Sequence, residues 1–281
     1  MIKILISDMD GTLFAGHGKS VLDLSARNNE ALERIRKSSM DFYVASGRMI
    51  GFGIRVLKDH GFTDIKAAGF NGAVVYDNGK FPVSYALDKS LIRQIINMLE
   101  TEFPDYDIIQ VQGMNSERIF NVREHPSITA YRKQIAETGI GVIPDYTIDD
   151  FLDHDTGSEA GKFSITLKDA LQCEQVRKRL GEILSDSCFI AKSGDSLLEI
   201  GNAGASKGVF AKYLKETLHL KKEEIACIGD ELNDAEMYPY AGVKFAMASG
   251  RDAVKYMSDY VVEDVAEAID ICLKLNGEVS R

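Results

Sequence analysis

Apolar positions along this chain follow two alternating rhythms. Short, mostly apolar, strand-forming runs occur at 3–7, 42–45, 225–228 and 244–248. Runs of that length predict strands buried on both faces. Between the first two, "SARNNEALERIRK" at 25–37 puts Ala31, Leu32 and Ile35 on one stripe with charges elsewhere, the pattern of an amphipathic helix. Helices are also predicted from the Ser-Gly-Arg at 46–48 to about Lys58, from an N-cap at Ser206 to about Leu218, and over 265–275. "IKAAGFNGAVVYDNGK" predicts a short strand, a Gly-Asn-Gly interruption and a hairpin turning at 77–80. Strands alternating with helices predict a parallel sheet covered on both faces.

From about Pro82 the texture changes. Helices are expected at 89–103, 127–138 and 170–184, and strands near 107–110, 118–122, 162–167 and 188–190, with a loop over 157–161. The first texture returns after "LLEIGNAGASKG". The chain therefore reads as an α/β core formed by residues 1–82 and 191–281, interrupted by a second α/β unit at 83–190.

Composition narrows the function. With 45% hydrophobic and 27% charged residues the chain can bury a sizeable core. A formal net charge of -10 argues against nucleic acid or an anionic membrane as partner. No apolar run approaches the ~18 residues of a membrane span, and the N-terminus has no signal-peptide layout. Cys173, Cys188, Cys227 and Cys272 have no Cys-x-x-Cys spacing and read as reduced thiols of a cytoplasmic protein. The histidines, such as His17 and His219, are dispersed and read as surface residues.

The chemistry lies where the strands stop. "ILISDMDGTLF" ends a buried run at two aspartates one residue apart, a costly placement unless something positive sits between them. Two other strand ends are also polar: Ser46-Gly47-Arg48, and Gly229-Asp230 with Asn233-Asp234. In a parallel sheet all three ends share the edge where ligands bind. Asp8, Asp10 and Asp230 are thereby expected to surround one hard cation, and oxygen ligands suit Mg²⁺. A calcium loop is excluded: counted from Asp8 its glycine, Gly11, falls fourth rather than sixth, and the twelfth residue is Lys19 rather than an acid.

"DMDGT", "SGR", "SKG" and "GDELND", in this order and with a domain-sized gap, resemble the four motifs of the haloacid dehalogenase superfamily of phosphohydrolases. The order resembles its Cof-like, subclass IIB branch, as do "GFNGAVVYDNG" and "LLEIGNAGASKG". The resemblance implies a Rossmann-like core, an inserted cap that selects the leaving group, and a Mg²⁺-dependent phosphatase of small phosphorylated metabolites such as sugar phosphates. It implies Asp8 as a nucleophile forming an aspartyl-phosphate and Asp10 as general acid and base. Lys207 would be the charge-neutralising cation. The metal would sit on Asp8, the backbone carbonyl of Asp10, and Asp230. Phosphate would be held by the Met9 N–H, Ser46, the Gly47 N–H and Asn233, with Asp234 orienting Lys207 or a metal-bound water from behind.

Several points stay open at this level. Arg48 either reaches substrate or pairs with an acid, and Asn71 either touches substrate or serves a turn. Glu159 and Lys162 are candidate substrate contacts in the inserted unit. Ala248-Ser249-Gly250 stands where many relatives have Gly-Asn-Ala, which questions the loop beside the metal. A phosphotransferase or mutase on the same machinery, and a non-enzymatic aspartyl-phosphate switch, are the rival functions. An isomeric product instead of free phosphate would identify the first, and a long-lived acyl-phosphate the second. The particular substrate and the oligomeric state are not legible.

Overall fold

A computed structural model of the chain describes residues 1–14, 24–114, 118–121, 147–154, 158–184 and 186–278. The helix expected at 127–138, and with it His17 and Lys19, lies outside the described residues. The first half runs β1 (Ile4–Ser7), α1 (Ala26–Arg36), β2 (Asp41–Ala45), α2 (Ile50–Asp59), β3 (Lys66–Gly69), β4 (Val74–Asp77), β5 (Lys80–Ser84), α3 (Lys89–Glu102), β6 (Ile108–Gly113) and β7 (Ile119–Asn121). There follow α4 (Ile148–Asp153), β8 (Ala160–Thr166), α5 (Ala170–Ile183), β9 (Cys188–Ser193), β10 (Leu197–Asn202), α6 (Lys207–Thr217), β11 (Ile225–Gly229), β12 (Val243–Met247), α7 (Asp252–Met257), β13 (Tyr260–Val262) and α8 (Val265–Leu275).

The chain divides into two compact units. One holds Met1–Arg48, Phe52–Pro82 and Ser206–Arg281; the other holds Met49–Gly51 and Val83–Ala205. The first unit carries a sheet of order β13-β12-β11-β1-β2-β3-β4-β5. Its strands pair in parallel from β13 through β3, and β4 joins β3 antiparallel. The expected parallel sheet is therefore present, with a hairpin at one edge. Asn78 at φ 47° and Gly79 at φ 92° make the hairpin turn, as Asp-Asn-Gly-Lys predicts. The central strand β1 is buried at all four positions and is flanked by β2 from its own half of the chain and β11 from the far end. At the starting end of β3 a buried Lys66 ammonium pairs with Asp64 and, at 3.4 Å, with Asp77. The Tyr43 hydroxyl donates to Asp64 at 2.6 Å and the Tyr213 hydroxyl to Asp77 at 2.7 Å.

The second unit is an antiparallel sheet of order β7-β6-β8-β10-β9. One face is apolar: Ile109, Val111, Phe163, Ile165, Leu198 and Ile200 pack with the buried stripe of α3 and with Val176 and Leu180 of α5. Asp88 caps α3 and Asp169 caps α5 through their carboxylates. The sequence expectation returned the chain to the core at residue 191. In the structure β10 lies between β8 and β9, and this unit runs to Ala205. "LLEIGN" was read only as part of a motif, yet it alternates as a strand with one buried face.

Candidate active site

The site is built where β1, β2 and β11 end and α6 begins. The Asp8 N–H continues the ladder by donating to the Ile228 carbonyl at 3.0 Å, so the backbone of Asp8 is still part of the sheet. Asp8 is buried. Met9 turns its side chain into the core, as expected of an apolar residue between two acids. The following Gly-Thr then acquires a specific role. Gly11 has φ 78°, and a Cβ there would stand 2.5 Å from Asp230 Oδ2, so only glycine fits. The Thr12 hydroxyl donates to Asp230 Oδ1 at 3.0 Å. The sequence reading assigned Thr12 no role; its place in the motif was the available signal.

Lys207, the first residue of α6, is fully enclosed and places its ammonium 2.5 Å from both Asp8 Oδ1 and Asp234 Oδ1. Asp234 is also buried, and its Oδ2 accepts the backbone N–H groups of Asp230 at 2.8 Å and Glu231 at 2.9 Å. Both Asp234 oxygens are thus committed within the protein. Ser206 occupies the N-cap position but makes no side-chain cap bond, contrary to the sequence expectation. The Glu236 carboxyl lies beside this helix start: burial raises it, and the neighbouring Ser206 hydroxyl and Lys207 N–H and charge pull it back. Its charge also offsets the unfavourable placement of a lysine at a helix N-terminus.

Asp10 points elsewhere. Its carboxylate is about half exposed and receives the Arg48 guanidinium through Nε, 2.7 Å from Oδ2, and through a second close contact to Oδ1. That guanidinium also lies over the Phe52 ring, 5.1 Å from its centroid. Of the two readings of Arg48, pairing with an acid is the one seen. Ser46 is buried; its Oγ accepts the Arg48 N–H at 3.0 Å. Asn233 donates through Nδ2 to Asn71 Oδ1 at 3.0 Å. The loop from Ala248 to Gly250 is anchored despite its departure from Gly-Asn-Ala: the Gly250 N–H donates to the Met247 carbonyl and the Arg251 N–H to the Asp230 carbonyl, both at 2.9 Å. In the second unit the two other candidates are engaged: the Ser84 hydroxyl donates to Glu159 at 2.6 Å, and Lys162 meets Glu199 at 2.5 Å.

Charge balance decides what the cluster can hold. Asp8, Asp230 and Asp234 offer carboxylate oxygens within 4.8 Å of one another, and Lys207 is the cation paired with this cluster among the described residues. Three carboxylates against one ammonium leave a surplus of negative charge in a largely buried place, where each ion costs several kcal/mol to desolvate. The protonation tendencies express it. Burial pushes the Asp8 carboxyl up to about 7 against the pull of Lys207, and desolvation also raises Asp230. Burial opposes the Lys207 charge, but Asp8 and Asp234 outweigh it and hold the amine above its ordinary range. Asp8 Oδ2 is buried with no hydrogen-bond partner among the described residues. An acceptor left so costs about 1–3 kcal/mol, more when charged. The Asp8 and Asp230 carboxylates, an all-oxygen set with excess negative charge, fit a hard divalent cation. Asp234 does not fit as a ligand, because both of its oxygens are taken.

The profile of the family described as haloacid dehalogenase-like hydrolase matches residues 5–269. The chain belongs to the haloacid dehalogenase-like hydrolases. The family resemblance read from the four motifs is thereby borne out. Among its relatives, Phosphatase YwpJ of Bacillus subtilis is 25% identical over 278 residues, which cover 92% of this hydrolase and 94% of YwpJ. Phosphoglycolate phosphatase 1 of Saccharolobus solfataricus is 22% identical over 279 residues, 98% of this chain and 97% of the relative. A haloacid dehalogenase-like hydrolase from Bacteroides thetaiotaomicron superposes with a TM-score of 0.81 at 21% identity, covering 97% of this hydrolase and all of that chain. No helix among the described residues is long and apolar enough to cross a membrane.

Proposed function

We propose that this hydrolase is a Mg²⁺-dependent phosphatase of small phosphorylated metabolites, such as sugar phosphates, and works through an aspartyl-phosphate on Asp8. The observation that carries the reading is the unpartnered, buried Oδ2 of Asp8 on a carboxylate whose other oxygen is held by Lys207. Such a carboxylate is fixed in place with one oxygen left to attack. Its relatives' names support the class of reaction and differ in substrate.

In the first half-reaction Asp8 Oδ2 bonds to phosphorus, the bond to the leaving oxygen breaks, and Asp10 gives that oxygen a proton. In the second, Asp10 takes a proton from water as the water attacks phosphorus, releasing inorganic phosphate and restoring Asp8. The Ser46 hydroxyl and the N–H groups of Met9 and Gly47 would bind phosphoryl oxygens, and Lys207 would offset their charge. Asp234 would hold Lys207, and Asn233 would complete the phosphate site. Mg²⁺, held by Asp8, the Asp10 carbonyl and Asp230, would supply positive charge against the phosphate dianion. For Asp10 to act, its carboxylate must leave Arg48. The unit of residues 83–205 is assigned selection of the leaving group. Four free cysteines support a reducing, cytoplasmic setting.

The test is phosphate release over a panel of phosphorylated metabolites with Mg²⁺ or EDTA. At least one should turn over only with the cation. Asp8→Asn should abolish release, and Asp10→Asn should accumulate acid-precipitable phosphoprotein. No turnover with any substrate or ion would end the proposal.

A further inference from the structure

The turn after β3 holds two consecutive non-glycine residues in the left-handed region, Phe70 at φ 50° and Asn71 at φ 56°. Asparagine tolerates that conformation, but a bulky residue there is an outlier that persists only where its surroundings hold it. The surroundings are three pieces of the active site. The Asn71 N–H donates to the Ser46 carbonyl and the Phe70 N–H to the Arg48 carbonyl, both at 2.9 Å. Gly72, at φ 88°, lies so close to the residue before Lys207 that a Cβ would stand 2.0 Å from the Ser206 carbonyl oxygen. Asn71 Oδ1 accepts from Asn233 Nδ2 at 3.0 Å and would lie 3.2 Å from a Cβ on Gly47. One short turn therefore touches the Ser46–Arg48 segment, Ser206 and Asn233.

We infer that Asn71 is a positioning residue: its side-chain amide holds the Asn233 amide in place at the site. The inference rests on the phosphatase reading above. An amide has two ends of nearly equal shape and opposite hydrogen-bonding character. In this structure Asn71 Oδ1 accepts from the Nδ2 end of Asn233, which turns Asn233 Oδ1 away from it. That oxygen is buried and finds no partner among the described residues, as is true of Asp8 Oδ2. It is an acceptor awaiting a donor. A phosphoryl oxygen of a dianion is itself an acceptor and would take the second Nδ2 proton of Asn233, while the oxygen end suits a water or a ligand hydroxyl. Without Asn71 the Asn233 amide loses the partner that holds it. The strained backbone of the turn sets the Asn71 side chain where it can make this contact.

The test is a cycle on the full-length protein with p-nitrophenyl phosphate and Mg²⁺. Asn71→Gly removes the side chain and suits the left-handed backbone, so its Tm should stay near that of the parent. Its kcat should fall about tenfold, the worth of one hydrogen bond, with KM within about twofold. Asn71→Ala should lose the same kcat and also lower Tm. Asn71→Gly in an Asn233→Ala background should cost nothing more. Unchanged kcat in Asn71→Gly, or losses that multiply in the double variant, would overturn the inference. A second reading needs no turnover. The ¹⁵N side-chain amide pair of Asn233, assigned by its disappearance in Asn233→Ala, should show one hydrogen-bonded proton that is lost in Asn71→Gly. An amide unaltered by Asn71→Gly overturns the inference. A parent protein inactive on p-nitrophenyl phosphate and on the whole metabolite panel overturns the phosphatase reading, and the amide signal still decides whether Asn71 fixes the Asn233 amide.

Discussion

Asp8 joins two demands that conflict. Reactivity asks for a fixed carboxylate with one oxygen free, and stability asks that no buried charge lack a partner. The structure meets the first at the expense of the second: Oδ1 is bound to Lys207 and Oδ2 is bound to nothing. In EDTA, Asp8→Asn should therefore be more stable than the parent, by about 2–6 °C in Tm, while being inactive. Lys207→Met should go the other way and cost about 3–5 kcal/mol, because it strands Asp8 and Asp234 together. Thermal melts of both variants check the pair, and an Asp8→Asn protein less stable than the parent would contradict the charge argument. At this scale the sequence was most legible. Asp8, Ser46, Lys207 and Asp230 each end a strand or begin a helix in a recognisable motif, so their convergence follows from parallel topology. Thr12 on Asp230, Asn71 on Asn233 and Glu236 on the start of α6 were not legible as partners. Each contact depends on a side chain's direction in space, and two of the three join residues far apart along the chain.

Elements in the first unit owe their order to buried continuous strands, and there the apolar runs located β1, β2, β11 and β12 well. β10 was missed because its six residues include a glutamate and a glycine, and its pairing on both sides is visible only once β8 and β9 are placed. β3 shows how an element of four residues, Lys-Ala-Ala-Gly, stays in register although it buries little side-chain volume. Its first residue, Lys66, is pinned by Asp64 and Asp77, which are themselves held by Tyr43 of β2 and Tyr213 of α6. Lys66→Ala should destabilise the protein by about 1–3 kcal/mol, since it leaves the largely buried Asp77 and the partly exposed Asp64 without their cation. Lys66→Ala combined with Asp77→Asn should recover part of that loss, as partners in one network are not additive. Urea midpoints of the single and double variants measure it. A single variant within about 0.5 kcal/mol of the parent would make the network a surface feature only.

Along the sequence the first unit is interrupted by most of the second, Val83–Ala205. The apolar core of the inserted unit, from Leu87 to Ile200, is drawn entirely from residues 83–205. That segment expressed alone should fold, with a cooperative melt and dispersed amide signals; a chain without a cooperative transition would refute its independence. Residues 1–82 alone should not fold, because β1 takes one neighbour from β11. The inserted boundary was legible at its start, where the edge hairpin ends, and misplaced at its close, where strand texture continues across the border. The position of β1 between β2 and β11 also has a consequence in time. The ribosome makes Asp8 among the first ten residues and Asp230 only after more than two hundred others. During that interval β1 has an open flank, while the inserted segment, whose contacts are close in sequence, is free to condense. Synthesis halted short of Gly229 would leave the inserted segment finished and the first unit unfinished, with Asp8 made and Asp230 still untranslated.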